Sequence, residues 1–279
     1  MKFTASLVAF CLVLAVGNAF AVVVETYSSS NKENKDVALV ESQSPFSFEF
    51  HAEDTFVGNG DVERGSLSVR DFHENDARIH FILTPMTKIG ILRLGLQTER
   101  YSFSFGSMAP IPHRLHSTAL VLGLDTELSD SILVRFEMDP GFYGTDYDDF
   151  GRDTFNIPVT IGGTYIVSSN FQIVFGVLID GLRKYPVLPG GGIRWKFASQ
   201  WTLNAVAPTP RLEYEPNSDL LFYAGADIRA TPYRVEKNFG DLRGNPALNH
   251  AAVTYAEVRT GGGLDWKLTS AMTTVMAGG

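Results

Sequence analysis

Apolar and polar residues alternate with a period of two along most of this chain, from residue 46 almost to the end. In the segment 92–99, leucine and threonine alternate with arginine, glycine, glutamine and glutamate, and the segment 254–268 repeats the pattern over a longer stretch. A period of two places the apolar side chains on one face of a β-strand. No helical period competes with it, so the pattern predicts an all-β protein.

Turn residues divide the alternating region into thirteen predicted strands. They are 46–56, 64–83, 88–105, 114–126, 131–139, 154–167, 171–181, 188–197, 200–207, 210–216, 218–234, 249–267 and 270–279. If the segment Pro208-Thr209-Pro210 is a kink within one strand, the number falls to twelve. Single-chain bacterial barrels have even strand numbers. We therefore expect one further strand beyond residue 279, which would bring the total to about fourteen.

The predicted strands are long, and each has an apolar face and a charged face. Soluble sheets average roughly 5–6 residues per strand, whereas a tilted membrane-spanning strand needs about 9–11. Either the apolar faces bury one another in a soluble protein, or they face lipid around a polar lumen. The length of the strands favours the arrangement in which the apolar faces contact lipid. In lipid an open sheet edge is too costly, so the sheet must close into a barrel.

The connections between strands alternate in length. Short polar turns near residues 129, 169, 199, 218 and 270 alternate with longer loops at 106–114, 140–153, 182–189 and 236–249. This asymmetry is typical of outer-membrane barrels, with the short turns in the periplasm. The predicted fold is an antiparallel up-and-down transmembrane β-barrel of about 12–14 strands.

The first residues have the three parts of an export signal. Lys2 precedes an apolar segment at 7–16, and Ala19-Phe20-Ala21 forms a small-residue cleavage site before Val22. We predict a signal peptide at 1–21, a flexible polar leader at 22–44 and the barrel at 45–279. The single cysteine, Cys11, lies in the signal, which excludes a disulfide framework and a thiolate metal site.

Charge and composition narrow the possible functions. The formal net charge is −8, with 23 Lys and Arg against 31 Asp and Glu, which is unfavourable for binding nucleic acid. Hydrophobic residues make up 44% of the chain, so global disorder is excluded. Beyond the signal, no apolar run is long enough for a transmembrane helix.

The faces opposite the apolar stripes carry charges of both signs. If the predicted strands 210–216, 218–234 and 249–267 are neighbours, their charged residues lie side by side with opposite signs adjacent, as in a salt-bridge ladder within a polar interior. A selectivity constriction for ions or small solutes is the alternative, although no ring of one sign is present. The candidate lumen-facing charged residues are Arg93, Glu99, Arg135, Glu137, Arg194, Arg211, Glu213, Asp227, Arg229, Glu257 and Arg259.

The sequence contains no motif for catalysis or cofactor binding. It has no G-x-S-x-G, H-E-x-x-H, P-loop or G-x-G-x-x-G. His113 and His116 lack a nearby carboxylate or thiolate, and the loop 146–153 is only a partial calcium motif, better explained as a solvated acidic loop. We expect no catalytic residues, no cofactor and no metal, and therefore no enzyme activity.

Several motifs are similar to those of an uncharacterised family of bacterial outer-membrane β-barrel proteins. They are Asp139-Pro140-Gly141-Phe142-Tyr143-Gly144, the segment YPVLPGGGIRW at 185–195, the segment PTPRLEY at 208–214, and Tyr223-Ala224-Gly225-Ala226-Asp227 with Tyr233-Arg234. The resemblance extends from about residue 44 onward. It implies a barrel in the outer membrane of a Gram-negative-type bacterium, with no known substrate and no assigned functional residues.

The favoured function is a narrow pore or a structural or surface barrel without catalysis. The expected partners are outer-membrane lipid, the barrel-assembly machinery during insertion and small solutes in passage, with no nucleic acid. One alternative is a soluble periplasmic or secreted β-protein that binds a ligand. The other is an outer-membrane barrel enzyme, which would need a Ser/His or Asp/His pair at the outer rim.

Overall fold

The computed structural model describes residues 20–27, 48–64, 67–105, 111–269 and 272–278. Most of the predicted signal peptide, residues 1–19, lies outside these ranges. The described part of the chain is built from β-strands and three short 3₁₀ helices. No helix in it has the length and apolar character that a membrane span requires.

Within the described residues, seventeen strands form one antiparallel sheet. They are β1 (Phe20–Tyr27), β2 (Phe48–Arg64), β3 (Leu67–Leu83), β4 (Met86–Thr87), β5 (Gly90–Ser104), β6 (Arg114–Ser129), β7 (Ile132–Met138), β8 (Gly141–Gly144), β9 (Phe155–Asn156), β10 (Val159–Ser168), β11 (Phe171–Ile179), β12 (Val187–Ala198), β13 (Trp201–Val206), β14 (Arg211–Asn217), β15 (Leu220–Arg234), β16 (Ala252–Thr269) and β17 (Met272–Gly278). The 3₁₀ helices are Tyr147–Asp149, Asp241–Arg243 and Pro246–Leu248.

The strands pair with their neighbours along the chain, in up-and-down order. From β10 the pairings run through β17 to β1, from β1 to β2, and on through β3, β5 and β6 to β7. Strand β7 pairs in turn with β10, so every strand on this path has two antiparallel partners. Strands β8 and β9 pair with each other, and β8 also pairs with β6, which extends the wall beyond β7 and β10.

Alternation along each strand separates an apolar outer face from a polar inner face. On β5, Leu94 and Leu96 are exposed while Arg93 and Tyr101 are buried. The same parity leaves large apolar side chains exposed around the wall, among them Phe81, Leu120, Phe175, Trp195, Phe222 and Trp266. A sheet that exposes its apolar face and buries its charges is inverted relative to a soluble protein.

The two ends of the barrel differ in their connections. At one end, which we call the short-turn end, β6–β7, β10–β11, β12–β13 and β14–β15 are joined by two-residue turns. At the other, the long-loop end, β5–β6, β7–β10, β11–β12 and β15–β16 are joined by longer segments. An aromatic cluster packs inside this end and is formed by Val69, Phe72, Tyr101, Phe103, Leu115, Ala119, Tyr143 and Tyr233.

The structure confirms the predicted all-β, antiparallel, up-and-down architecture. Each predicted strand corresponds to an observed one, and Pro208-Thr209-Pro210 connects two separate strands, β13 and β14, so the twelve-strand count is wrong. The path of paired strands contains fourteen members, namely β1, β2, β3, β5, β6, β7 and β10–β17, and the member that the thirteen predicted strands lack is β1.

Strand β1 differs from the sequence-based expectation. The predicted leader at 22–44 was expected to be flexible, yet its first six residues belong to β1, which pairs with both β17 and β2. The physical reason is the run Val22-Val23-Val24, since β-branched residues favour the extended strand. The rest of the leader, residues 28–44, lies outside the described residues.

Candidate functional site

The interior holds a dense group of charged side chains midway along the barrel, which we call the central ion-pair cluster. Its members are Glu53, Glu74, Asp76, Arg78, Glu99, Asp227, Arg229, Glu257 and Arg259. They come from two parts of the wall, strands β2, β3 and β5 on one side and strands β15 and β16 on the other. Strand register explains how each part is built.

On the first side, three strands place alternating charges directly opposite one another. Glu53 of β2 is opposite Arg78 of β3, and Arg78 is opposite Glu99 of β5. Arg78 donates hydrogen bonds from Nε and Nη2 to Glu99 Oε1. Opposite charges on one face of a sheet attract, which makes this row a short salt-bridge ladder.

On the second side, β15 and β16 form a matching ladder. Asp227 is opposite Arg259, and Arg229 is opposite Glu257. The Arg229 Nε donates to Asp227 Oδ2 at 2.7 Å, and the Arg259 Nε donates to Glu257 Oε2 at 3.1 Å. Each arginine therefore has a carboxylate two residues away on its own strand.

Arg229 connects the two ladders. Its Nη1 donates to Asp76 Oδ2 at 2.8 Å, and its Nη2 donates to both Glu53 oxygens at 2.9 Å. Strands β16, β17, β1 and β2 lie between β15 and β3 in the sheet. Adjacent strands are about 4.8 Å apart, so the contact of Arg229 with Asp76 runs across the lumen rather than along the wall.

Arg259 makes a second set of connections between the same two sides. Its Nη1 donates to Glu53 Oε1 at 3.3 Å, and its Nη2 donates to Asp76 Oδ2 at 3.0 Å and to Glu74 Oε1 at 3.5 Å. Asp76 is fully buried, and both arginines have most of their surface covered. The cluster thus occupies this side of the lumen as a network of ion pairs in which six carboxylates share three guanidiniums.

Tyrosine hydroxyls join the cluster to the aromatic cluster above it. Tyr101 and Tyr233 donate to Glu99, and Tyr255 donates to Glu74 Oε2 at 2.7 Å. The Tyr101 and Tyr255 ring centroids are 4.7 Å apart. Each tyrosine contributes an apolar ring to one layer and a polar tip to the next. On this side of the lumen, packing is therefore continuous from the ion pairs to the long-loop end.

A separate ion-pair group lies closer to the short-turn end. Arg93 donates from Nε to Glu137 Oε2 and from Nη1 to Glu49 Oε1, each at 2.9 Å. Gly123 lies between Arg93 and Glu137 in the sheet register. A Cβ at Gly123 would lie 3.2 Å from Arg93 Cβ, so the glycine leaves room for the arginine to reach its partner.

The other predicted lumen residues lie on the inward face but outside these groups. Arg135 forms a bidentate pair with Asp125, directly opposite it on β6. Arg194 lies 3.8 Å from Glu213, and its side chain is 54% exposed. The Arg211 guanidinium stacks over the Tyr223 ring at 4.4 Å.

One part of the predicted ladder is wrong. Strands β14, β15 and β16 are neighbours as expected, but the charges of β14 do not continue the ladder of β15. Arg211 is opposite Gly225, and Glu213 is opposite Tyr223. The register of the β14–β15 pair thus aligns each charge with an uncharged residue, and Glu213 turns to β12 instead.

Sequence reasoning missed three of the six acids of the central ion-pair cluster. Glu53, Glu74 and Asp76 are among its most buried members but were not among the candidate residues. They have the same period-two placement as the predicted residues, which is the signal that could have found them. What the pattern lacked was the pairing across the lumen, which arises only once the sheet curves.

A loop at the long-loop end is held inside the mouth of the barrel. In the β11–β12 connection, Asp180 accepts hydrogen bonds from Asn156 Nδ2 at 2.8 Å and from the Leu182 backbone N–H at 3.0 Å, and it pairs with Arg183 at 3.2 Å. Arg183 also donates to the Ala230 carbonyl of β15. The Ala230 carbonyl lies beyond the end of the short β13–β14 hairpin. In the described structure, this part of β15 is not paired with a strand on the edge that faces β14.

Replacing Asp180 with alanine is expected to release this loop. The substitution Asp180→Ala removes the acceptor that gathers Asn156, Leu182 and Arg183, and hydrogen bonds to a charged group contribute about 1.5–3 kcal/mol each. We expect trypsin to cleave after Arg183 or Lys184 at least about tenfold faster in detergent micelles, because cleavage requires local opening. Asp241→Ala is the control, since the Asp241 side chain makes no hydrogen bond or ion pair in the described structure. Equal cleavage of both variants would contradict the role of Asp180.

The described residues contain no group of three or more His, Cys, Asp or Glu side chains arranged to hold a metal ion. His113 stacks on Phe105, with ring centroids 4.5 Å apart. His116 packs against Tyr147 and forms a hydrogen bond with Thr118 Oγ1 at 3.2 Å. The two histidines therefore have separate environments, and each has a packing role.

Comparison with protein-family models gives no match, and comparison with curated protein sequences gives none. Among solved structures, the toluene transporter TodX of Pseudomonas putida is similar over 99% of this chain and 93% of its own, with 10% identity and a TM-score of 0.43. A FadL homologue of Pseudomonas aeruginosa matches 94% of this chain and 88% of its own, with 8% identity and a TM-score of 0.37. The FrpB iron transporter of Neisseria meningitidis matches 93% of this chain and 54% of its own, with 9% identity and a TM-score of 0.24.

Proposed function

We propose that this chain is an outer-membrane β-barrel without catalysis, and that its lumen forms a narrow pore. The observation that carries the proposal is the inverted distribution of side chains, with apolar residues exposed on the outer face and ion pairs buried inside. In lipid the outer face is solvated by acyl chains, and the paired strands leave few backbone groups unsatisfied. The long-loop and short-turn ends supply the expected outer and periplasmic sides.

Export and insertion are part of the same proposal. The predicted signal peptide would direct the chain to the periplasm of a Gram-negative-type bacterium, and the barrel-assembly machinery would insert it. The resemblance to an uncharacterised outer-membrane barrel family agrees with this route. Of β1, only Phe20 and Ala21 precede the predicted cleavage site.

The lumen has a crowded side and an open side. The central ion-pair cluster fills the side formed by β2, β3, β5, β15 and β16. On the opposite side, Gly162, Gly176 and Gly190 lie in register on adjacent strands and face inward. A Cβ at Gly190 would meet no atom within 4 Å, and Arg194 on the same strand is half exposed. Small solutes would therefore pass beside β10, β11 and β12.

A closed structural or surface barrel is the second candidate, favoured by the aromatic cluster at the long-loop end. Two measurements on the full chain, expressed with its signal in a Gram-negative host, test the proposal. The first compares boiled and unboiled outer-membrane extract on SDS gels, where a closed barrel migrates differently when unboiled. The second records conductance in planar bilayers, where a narrow pore gives small, discrete openings. A soluble periplasmic protein without a heat shift would overturn the membrane assignment.

Gly190→Trp is expected to reduce the unit conductance, because the indole would enter the open side of the lumen. Val187→Trp is the matched control on the same strand, since Val187 faces outward and is 57% exposed. Loss of conductance in the first variant alone supports a path beside β12. A heat-modifiable wild-type protein that shows no openings would contradict the pore and favour the closed barrel.

A further inference from the structure

The outward-facing side chains of the wall change from apolar to polar and basic near the long-loop end. Along β5, the outward residues from Leu92 to Thr98 are apolar or small, and the next outward residues are Arg100, Ser102 and Ser104. Neighbouring strands change at the same level, because Arg100 is opposite Ala77 of β3 and His116 of β6. The apolar belt therefore ends in a polar and basic surface across three adjacent strands.

A pocket of 630 Å³ lies in this surface. Strand register brings its walls together, since Ser102 is opposite both Asn75 and Arg114, and Ser104 is opposite His73. Apart from Glu74, the polar side chains that line it are His73, Asn75, Arg100, Ser102, Ser104, His113 and Arg114. Phe56, which is 50% exposed, adds an apolar side to the same pocket.

The charge of the pocket is poorly compensated. Arg100 is exposed and forms no ion pair within the described residues. Arg114 is paired only with Asp146, at 3.6 Å and with both side chains about half exposed, a geometry that contributes little. Glu74 also lines the pocket, but its carboxylate is bound to Tyr255 and Arg259 on the inner side. The outer side is thus left with two guanidiniums and two imidazoles.

We propose that this pocket binds the phosphate of an anionic lipid headgroup in the leaflet at the long-loop end. The inference rests on the proposed membrane location. Guanidinium groups bind phosphate through paired N–H donors, and serine and asparagine supply further hydrogen bonds. The apolar wall that continues below Arg100 would receive the acyl chains. A free phosphate would use the same donors but would gain nothing from Phe56 and the belt.

The test measures lipid binding to purified, heat-modifiable protein by native mass spectrometry. The probes are lipid A, whose phosphate monoesters give it a net negative charge, and phosphatidylcholine, whose phosphate diester is offset by the choline cation. The variant is Arg100→Gln with Arg114→Gln, and the charge-matched control is Lys184→Gln with Lys237→Gln, two exposed lysines at the same end but outside the pocket. We expect one lipid A per chain and about thirtyfold weaker binding in the arginine variant, since each basic side chain near an anionic lipid surface contributes about a factor of five.

Each outcome decides the proposal. Selective loss of lipid A binding in the arginine variant supports it. Unchanged binding in that variant, or equal binding of phosphatidylcholine, overturns it while the barrel assignment stands. Complete displacement of lipid A by millimolar inorganic phosphate overturns the proposal of a lipid ligand and assigns a soluble phosphate ligand to the pocket instead. A wild-type protein without a heat shift would instead overturn the membrane location, a result visible on the gel before any lipid is added.

Discussion

Replacing Arg229 with alanine is expected to destabilise the barrel by about 3–5 kcal/mol, because removing one partner leaves buried carboxylates without compensation. Glu53, Asp76 and Asp227 all accept hydrogen bonds from this guanidinium at 2.7–2.9 Å. The free energy of unfolding would be measured in detergent micelles by denaturant titration, with tryptophan fluorescence as the signal. The m-value should stay close to that of the wild type, since the surface exposed on unfolding is similar.

Arg135→Ala is the matched control for this prediction. Arg135 forms an ideal bidentate pair with Asp125, but its side chain is 49% exposed, so we expect a loss of only about 0–1 kcal/mol. Adding Glu53→Gln to Arg229→Ala should recover part of the lost stability, because it removes one of the uncompensated charges. Similar losses for Arg229→Ala and Arg135→Ala would show that the cluster does not act as a buried network.

Replacing Leu96 with arginine is expected to cost about 2–4 kcal/mol in lipid vesicles, the range for a cation at the midplane of a barrel wall. Leu96 lies within the apolar belt of β5 and is already 50% exposed. In a soluble protein, charging so exposed a position would be tolerated. The measurement is the free energy of unfolding in vesicles, together with the fraction of protein that shows a heat shift.

Leu128→Arg provides the contrast, because Leu128 is 68% exposed but lies beside the short turn between β6 and β7. Near the interface the cost falls to about 0–1 kcal/mol. A large loss of stability at Leu96 with a small loss at Leu128 would therefore show that the cost of the arginine depends on its depth in the bilayer and not on the exposure of the side chain. Tolerance of arginine at both positions would instead favour the soluble ligand-binding alternative.

The period-two alternation predicted most of the strands and their up-and-down order, and it placed the charged residues on the face opposite the apolar stripes. This works because alternation is a local property, set by which face of each strand is apolar. Arg229 and Glu257 were predicted to lie on the same face of neighbouring strands for the same reason. The register of β14 against β15 could not be predicted, since it depends on how the turn at 217–219 closes and on which side chains fit together.

The contacts across the lumen could not be read from the sequence. The bond from Arg259 to Glu53 joins residues 206 positions apart, and nothing local in either strand specifies it. Strand β1 was missed for a different reason. The polar run at 28–35 dominated the interpretation of the leader, although the preceding valines have the β-branched character of a strand.

The central ion-pair cluster also constrains the order in which the barrel can be completed. Four of its six acids lie on β2, β3 and β5, and the two arginines that bridge the lumen lie on β15 and β16, close to the other end of the chain. The acidic hairpin formed by β2 and β3 therefore precedes these arginines during synthesis and export. Until they arrive, its carboxylates must remain hydrated, which disfavours early burial of that hairpin. The arginines of β15 and β16 thus neutralise these carboxylates late, through contacts between residues far apart in the chain. Contacts of this kind make folding slow, and they make the final closure of the barrel depend on the whole chain.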